Sequence, residues 1–258
     1  MKEIPVQDWE SFERELRKLE NFRASRQDDN RHLNWPLLYR GQSKSPWNLQ
    51  TTLERVAGQD MRVSTYYRII EKIRAEIEAF TNRHWEIPDS LPEIWRHEVY
   101  DYMIHLRHHG FPSPLLDWTR SPYIAAYFAF KDAREQPESV AVYAYLESVR
   151  GSKGGWTAEP QINGIAPQAT TPRHFLQQSR YTICTRKDEE GRLVYSSHEG
   201  TFSRDDPDQD LLWKFVIPVS ERKKVLEYLN CFNIKSFSLF GSEESLMESL
   251  AIQEFDLR

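Results

Sequence analysis

The chain has 258 residues, 39% hydrophobic and 13% aromatic, enough for a sizeable core and unlike a disordered or fibrous polymer. A formal net charge of −5 gives no bulk attraction for nucleic acid or an anionic membrane and leaves only a local basic patch open to either. Cys184 and Cys231 stand in neither a CxxC nor a zinc-type Cys/His spacing, which argues against a disulfide framework and a structural zinc site and predicts two buried free thiols.

The start MKEIPVQDWESF has no signal-peptide core, and no run approaches the ~18 apolar residues of a membrane span, so a cytoplasmic protein is expected. Trp9, Phe12, Leu16 and Leu19 recur at helical spacing and predict an amphipathic N-terminal helix, followed by a loop at QDDNRHLNW. PLLYRGQ reads as a short strand running into a glycine turn at Gly41, and SPWNLQTTLER as extended or irregular. Tyr66, Ile69, Ile70, Ile73, Ile77 and Phe80 predict a helix capped by Ser64. Trp95, Val99, Tyr102, Met103 and Leu106 predict the next helix, which Gly110 ends.

Ser121 as N-cap with Pro122 in the first turn starts an alanine-rich helix whose packing face is Ile124, Ala125, Phe128 and Ala129. SVAVYAYL (139–146) and LLWKFVIP (211–218) read as strands, with a long surface loop between Arg150 and Pro172. ERKKVLEYL and EESLMESLAIQEF read as helices separated by a strand, NIKSFSLF. Helices and strands mix without regular βαβ alternation, so the class is α+β with a mixed or antiparallel sheet, an N-terminal helical region and further helices, in a single domain over 1–258.

Several stretches concentrate chemistry. LYRGQ sets Arg40 beside Gly41 and Gln42, where a guanidinium can grip phosphate, or else anchor a turn. In HHGFPSPLLDWT, His108 and Asp117 can be brought together by the proline turn to form a His-carboxylate pair; the alternative is a buried network in which Asp117 caps the helix start near Ser121. RHFLQQSRYTICT carries Arg173, Gln177, Gln178 and Arg180, side chains suited to phosphate and ribose or to a solvated strand edge. His198 and Glu199 form a further acid/base candidate inside a stretch that reads as a hairpin with an acidic loop. There is no HExxH, GxSxG, GxxxxGK or GxGxxG, so a metal site, a serine nucleophile and a phosphate loop are not expected.

Together these blocks resemble the FRG domain family. The signature reads Tyr39-Arg40-Gly41, followed by the tryptophan, leucine and arginine of QSKSPWNLQTTLER; RHHGFPSPLLDWTRSPYIAAYFA is similar to a second block and RHFLQQSRYT to a third, so the resemblance runs from about Pro36 to the C-terminus, with 1–35 as a helix and loop before it. Arg107 stands where the family usually has glutamine, Pro114 where it often has arginine and Ser179 where glycine is common.

The block order also resembles that of ADP-ribosyltransferases, which implies NAD as substrate, transfer or glycohydrolysis as the reaction, and a role as a bacterial toxin or antiviral defence effector with an unknown macromolecular acceptor or neutralising partner. Under that resemblance Arg40 takes the first position, Asp117 to Thr119 the second and Gln177 the third, where glutamine replaces an acid. The catalytic set becomes Arg40, His108, Asp117 and Gln177, with Glu199 as reserve carboxylate and Arg40, Gly41, Gln42, Trp118, Thr119 and Arg173 holding NAD. Trp118 could stack on a ligand ring or fill the core, and core is favoured. The competing expectations are a non-catalytic module that binds nucleotide or nucleic acid through Arg40, Arg173, Arg180 and Arg186, and a protein-interaction domain whose polar blocks hold the fold.

Overall fold

A computed structural model describes residues 1–26, 36–85, 87, 97–134, 138–147, 158–165, 172–202 and 210–257 and has a mixed α+β architecture. In chain order the elements are β1 (Lys2–Pro5), α1 (Trp9–Arg26), β2 (Leu38–Gln42), α2 (Thr52–Ala57), α3 (Val63–Thr81), α4 (His97–His108), β3 (Leu115–Thr119) and α5 (Pro122–Lys131). They continue with β4 (Ser139–Leu146), β5 (Gln161–Ile165), α6 (Pro172–Leu176), β6 (Ser179–Lys187), β7 (Leu193–Tyr195), α7 (His198–Thr201) and β8 (Leu211–Pro218). The last helices are α8 (Arg222–Cys231), α9 (Ser236–Phe240) and α10 (Glu243–Ala251). The strands make one sheet in the order β1-β8-β4-β2-β3-β6-β5, with β7 also beside β6. β1 runs parallel to β8, and the other pairings are antiparallel.

Residues directly opposite each other in a ladder share a face, and successive residues alternate. Tyr39 lies opposite Thr119, so Tyr39, Leu115 and Asp117 belong to one face. Two hydrophobic clusters sit side by side on that face. One joins α1, α5 and α8 to Val140, Val142 and Phe215; the other joins α3 and α4 to Leu115, Tyr181 and Ile183. A third cluster, with Leu38, Leu116, Trp118 and Tyr145, covers the opposite face. The seam between the first two clusters falls at the junction of β2 and β3.

The alanine-rich helix forms as its sequence directs: Ser121 Oγ accepts from the Ile124 amide at 3.3 Å, Pro122 lies in the first turn, and Ala125, Ala126 and Ala129 are buried. Gly110 ends α4 with φ of +86°. β4, β8, α1 and α8 also take the predicted form.

Other expectations are corrected. Gly41 lies within β2, not in a turn. Residues 52–57 are helical because Thr51 and Glu54 cap each other, Glu54 N to Thr51 Oγ1 at 3.1 Å and Thr51 N to Glu54 Oε2 at 2.7 Å. α3 begins at Val63 after Arg62, so Ser64 is inside the helix. Ile69 and Phe80 are exposed at 38% and 92%, because α3 buries a narrower stripe around Tyr66, Tyr67 and Ile70. NIKSFSLF contains the helix α9, the long loop holds β5, and His198–Thr201 is a helical turn where a hairpin was expected. Cys184 is buried as expected, but Cys231 is exposed at the end of α8. The 27–35 loop, Trp95, the rest of the long loop at 148–157 and 166–171, and the acidic segment 203–209 lie outside the described residues. Among the described residues no helix is long and apolar enough to cross a membrane.

Candidate functional site

β2 and β3 are neighbours but share one register pair, Tyr39 with Thr119, whereas β2 pairs with β4 and β3 with β6 along their whole lengths. Beyond that pair a cavity of about 490 Å³ lies at the seam, lined by residues of β2, β3 and α5, the segment after β2, and α6. A methyl group at Gly41 would lie 1.9 Å from the Ala125 oxygen and 2.6 Å from the Ala129 nitrogen. Glycine is therefore required here by the close approach of α5, which forms one wall.

Arg40 reaches across the opening. Its Nη1 donates to the Asp117 backbone oxygen at 2.9 Å and lies 3.6 Å from Asp117 Oδ2, while its buried Nε finds no partner among the described residues. Burial lowers the Arg40 pKa, and the neighbouring Asp117 charge opposes that shift.

Asp117 belongs foremost to Arg107, in the last turn of α4. Arg107 Nε donates to Oδ1 at 2.7 Å and Nη2 to Oδ2 at 3.0 Å, a two-pronged pair, and Nη1 donates to Thr52 Oγ1 at 3.2 Å. The Asp117 side chain is still 41% exposed, toward the cavity it lines. Burial would raise the pKa of this carboxyl, but Arg107 and Arg40 outweigh it and hold it well below the usual carboxylate range. Asp117 is therefore an anion at neutral pH, unsuited to accepting a proton there. It does not cap α5, a role that Ser121 fills.

His108 does not pair with Asp117. Its Nε2 lies 2.8 Å from Tyr181 Oη, which is 3.3 Å from His174 Nδ1, and its ring lies outside the cavity lining. Burial pushes the His108 pKa down to about 4, leaving the ring neutral at pH 7.

α6 brings Arg173 and Gln177 to the cavity. Gln177 Nε2 donates to Leu239 O at 3.2 Å, so its Oε1 is the acceptor it has to offer. Arg173 rests its guanidinium 4.2 Å from the centroid of the Phe240 ring, and burial lowers its pKa. Gln42 and Thr119 also line the cavity, but Gln42 Nε2 is committed to Asn48 O at 3.1 Å and Thr119 Oγ1 accepts from the Ser121 amide at 3.1 Å. Trp118 is 3% exposed, donates from Nε1 to Thr182 Oγ1 at 2.8 Å and stacks on Tyr145 at 5.3 Å, which makes it a core residue at the cavity edge. Glu199 lies outside the lining and uses Oε1 to accept from the Leu49 amide at 2.8 Å. Arg180 donates to Ser179 O and Arg186 pairs with Asp60, both outside the lining.

Sequence reasoning missed three contributors. Arg107 was noted only as a departure from the family pattern, although an arginine ten residues before an acid across a reversing turn is a signal for a pair. Arg55 and Trp47, the arginine and tryptophan of QSKSPWNLQTTLER, also line the cavity. Among the described residues no cluster of three or more His, Cys, Asp or Glu side chains is placed to hold a metal ion.

Comparison with curated proteins and with solved structures found no match. The family model of the FRG domain matches residues 36–138, which include β2, the Gly41–α5 contact, the Arg107–Asp117 pair and α5. The third block, with Arg173 and Gln177, lies beyond the matched segment. Over residues 36–138, then, the chain carries an FRG domain.

Proposed function

We propose that this protein binds a nucleotide through its phosphates in the seam cavity. One observation carries the reading: Arg40, Arg55 and Arg173, from three separate parts of the chain, line a single cavity whose carboxylates are Asp117 and Asp132. Asp117 is already offset by Arg107 from behind. The balance of the lining is therefore cationic although the whole chain carries −5. Guanidinium groups suit phosphate because their paired donors match its oxygens, and a partly enclosed cavity screens that attraction less than open water does. Gln177 Oε1 offers an acceptor for a ribose hydroxyl.

A second reading, cleavage of NAD by an ADP-ribosyltransferase or glycohydrolase, is favoured by the meeting of Arg40, Asp117 and Gln177 in one cavity. Breaking the nicotinamide–ribose bond builds positive charge on the sugar carbon, and a well-placed free carboxylate stabilises it by about 3 kcal/mol. Asp117, held by Arg107 and flanked by Arg40, supplies less than that, so binding is the better supported part.

Calorimetric titration with ADP-ribose and NAD tests both readings. Binding that weakens at least tenfold in Arg173→Ala and at raised salt is the expected result, and absence of binding to either ligand overturns the proposal. Chromatographic detection of nicotinamide from NAD separates turnover from binding alone.

A further inference from the structure

The two ends of the cavity differ in chemistry. At one end, where Tyr39 pairs with Thr119 and Thr119 with Ser179, lie Gln177 and Arg173. At the other, past Gln42, lie Trp47 and Asn48. Tyr39 and Gln42 are three steps apart along the strand, a span of roughly 10 Å.

Trp47 is 51% exposed, whereas Trp9 and Trp118 are buried. Its exposure does not come from a loose segment. The Trp47 backbone oxygen accepts from Tyr143 Oη at 3.1 Å, Asn48 O accepts from Gln42 Nε2 at 3.1 Å, Leu49 N donates to Glu199 Oε1 at 2.8 Å, and Ser45 N donates to Ser139 O at 3.0 Å. Bonds from β2, β4 and α7 thus fix the backbone beneath a half-exposed indole at the cavity wall. Lys44 Nζ stands 5.4 Å from the ring centroid. An aromatic surface held in place by its backbone loses little freedom on contact with a ligand, so it favours a flat ring over a flexible chain. Asn48 and Gln50, also in the lining, carry amides able to meet both donors and acceptors on a ring edge.

We infer that the segment 43–50 is a base subsite, in which Trp47 stacks the heteroaromatic ring of a nucleoside diphosphate whose phosphates lie toward Arg173. The inference rests on the nucleotide reading above and adds where the ring goes and what ligand class is selected: a nucleotide bearing its base, in preference to a phosphate or sugar phosphate. It also gives Glu199 a role, as a positioning residue that fixes the segment carrying Trp47.

The test is calorimetric titration of the full chain with ADP, ribose 5-phosphate and pyrophosphate, in wild type, Trp47→Ala and Trp47→Phe. Wild type should bind ADP more tightly than the two ringless probes. Trp47→Ala should weaken ADP about tenfold while changing pyrophosphate less than twofold, and Trp47→Phe should restore most of the loss. Equal affinity of wild type for ADP and pyrophosphate, or an equal loss for both in Trp47→Ala, overturns the base subsite and leaves phosphate binding standing. Failure of all three probes to bind wild type overturns both. Melting curves for each variant show whether the fold is intact, and a selective loss in Trp47→Phe equal to that in Trp47→Ala would also count against stacking.

Discussion

Arg40 donates from Nη1 to the backbone oxygen of Asp117 at 2.9 Å, across two strands that share one register pair. A side chain bridges there what ladder hydrogen bonds close elsewhere in the sheet. Arg107 holds the same residue by its carboxylate, so Asp117 is tied to β2 through its backbone and to α4 through its side chain.

Asp117→Asn removes the charge that both guanidinium groups face. Breaking a buried pair costs more than breaking an exposed one, and the partial exposure of Asp117 moderates the effect to about 1–3 kcal/mol. A lower thermal midpoint, by about 2–4 °C for each kcal/mol, is the expected outcome. Because the folded carboxyl titrates below its ordinary value, this pair's contribution is complete above the unfolded pKa and disappears as pH falls through the folded one. Urea titrations at pH 7, 4 and 3 should show a shallower acid loss in the variant, and parallel curves would contradict the ion-pair account.

Gly41→Ala should destabilise the protein by about 3 kcal/mol or more, because the added methyl meets backbone atoms of α5 that cannot rotate aside. Reduced soluble yield and an early thermal midpoint would show it. A variant with wild-type stability would mean that α5 can move away from β2 at little cost.

Stability should also decline as pH falls from about 6.5 toward 4, through His105 and His108. Burial lowers both pKa values to about 4, so between the two limits the unfolded chain takes up protons that the folded chain does not. His108→Gln should reduce the steepness of that decline. An NMR titration placing the His108 ring near its ordinary pKa would contradict the burial.

Trp118→Phe should cost about 1–2 kcal/mol through loss of the Nε1 bond to Thr182 and of ring area against Tyr145. Nucleotide affinity should stay within twofold of wild type. A large fall in affinity with unchanged stability would place Trp118 among the ligand contacts and not in the core.

Most of the long elements were legible because their signals are local. The Ser121-Pro122 start and its alanines, the apolar run of 139–146 and the spacing of Trp9, Phe12 and Leu16 each state their structure within a few residues. The strands that were missed are short. β1, β3, β5 and β7 acquire their form from partners at Trp213–Val216, Ser179–Ile183, Tyr181–Thr185 and Thr185–Lys187. NIKSFSLF alternates like a strand, yet α9 docks against α10, where Phe237 N donates to Ser249 Oγ at 2.8 Å, Ser236 Oγ meets Glu248, and Gly241 takes φ of +68° to end the turn. Tertiary contacts override a weak local preference in so short a segment.

The sequence by itself determined the chemistry available at the site: the arginine, glycine and glutamine of β2, the Asp-Trp-Thr of β3, and Arg173 of α6 with the Gln177 that follows it, all of which line one cavity. It also determined the α+β class, through periodicity that each segment carries alone. Only the tertiary structure decided the partners. Asp117 joined Arg107 and not His108, Glu199 became a support for the Leu49 backbone, and Gly41 proved to be a place of contact with α5. The reason is that a charge or a donor is a property of one residue, whereas a pair is fixed by the distance between strands and helices that lie far apart along the chain.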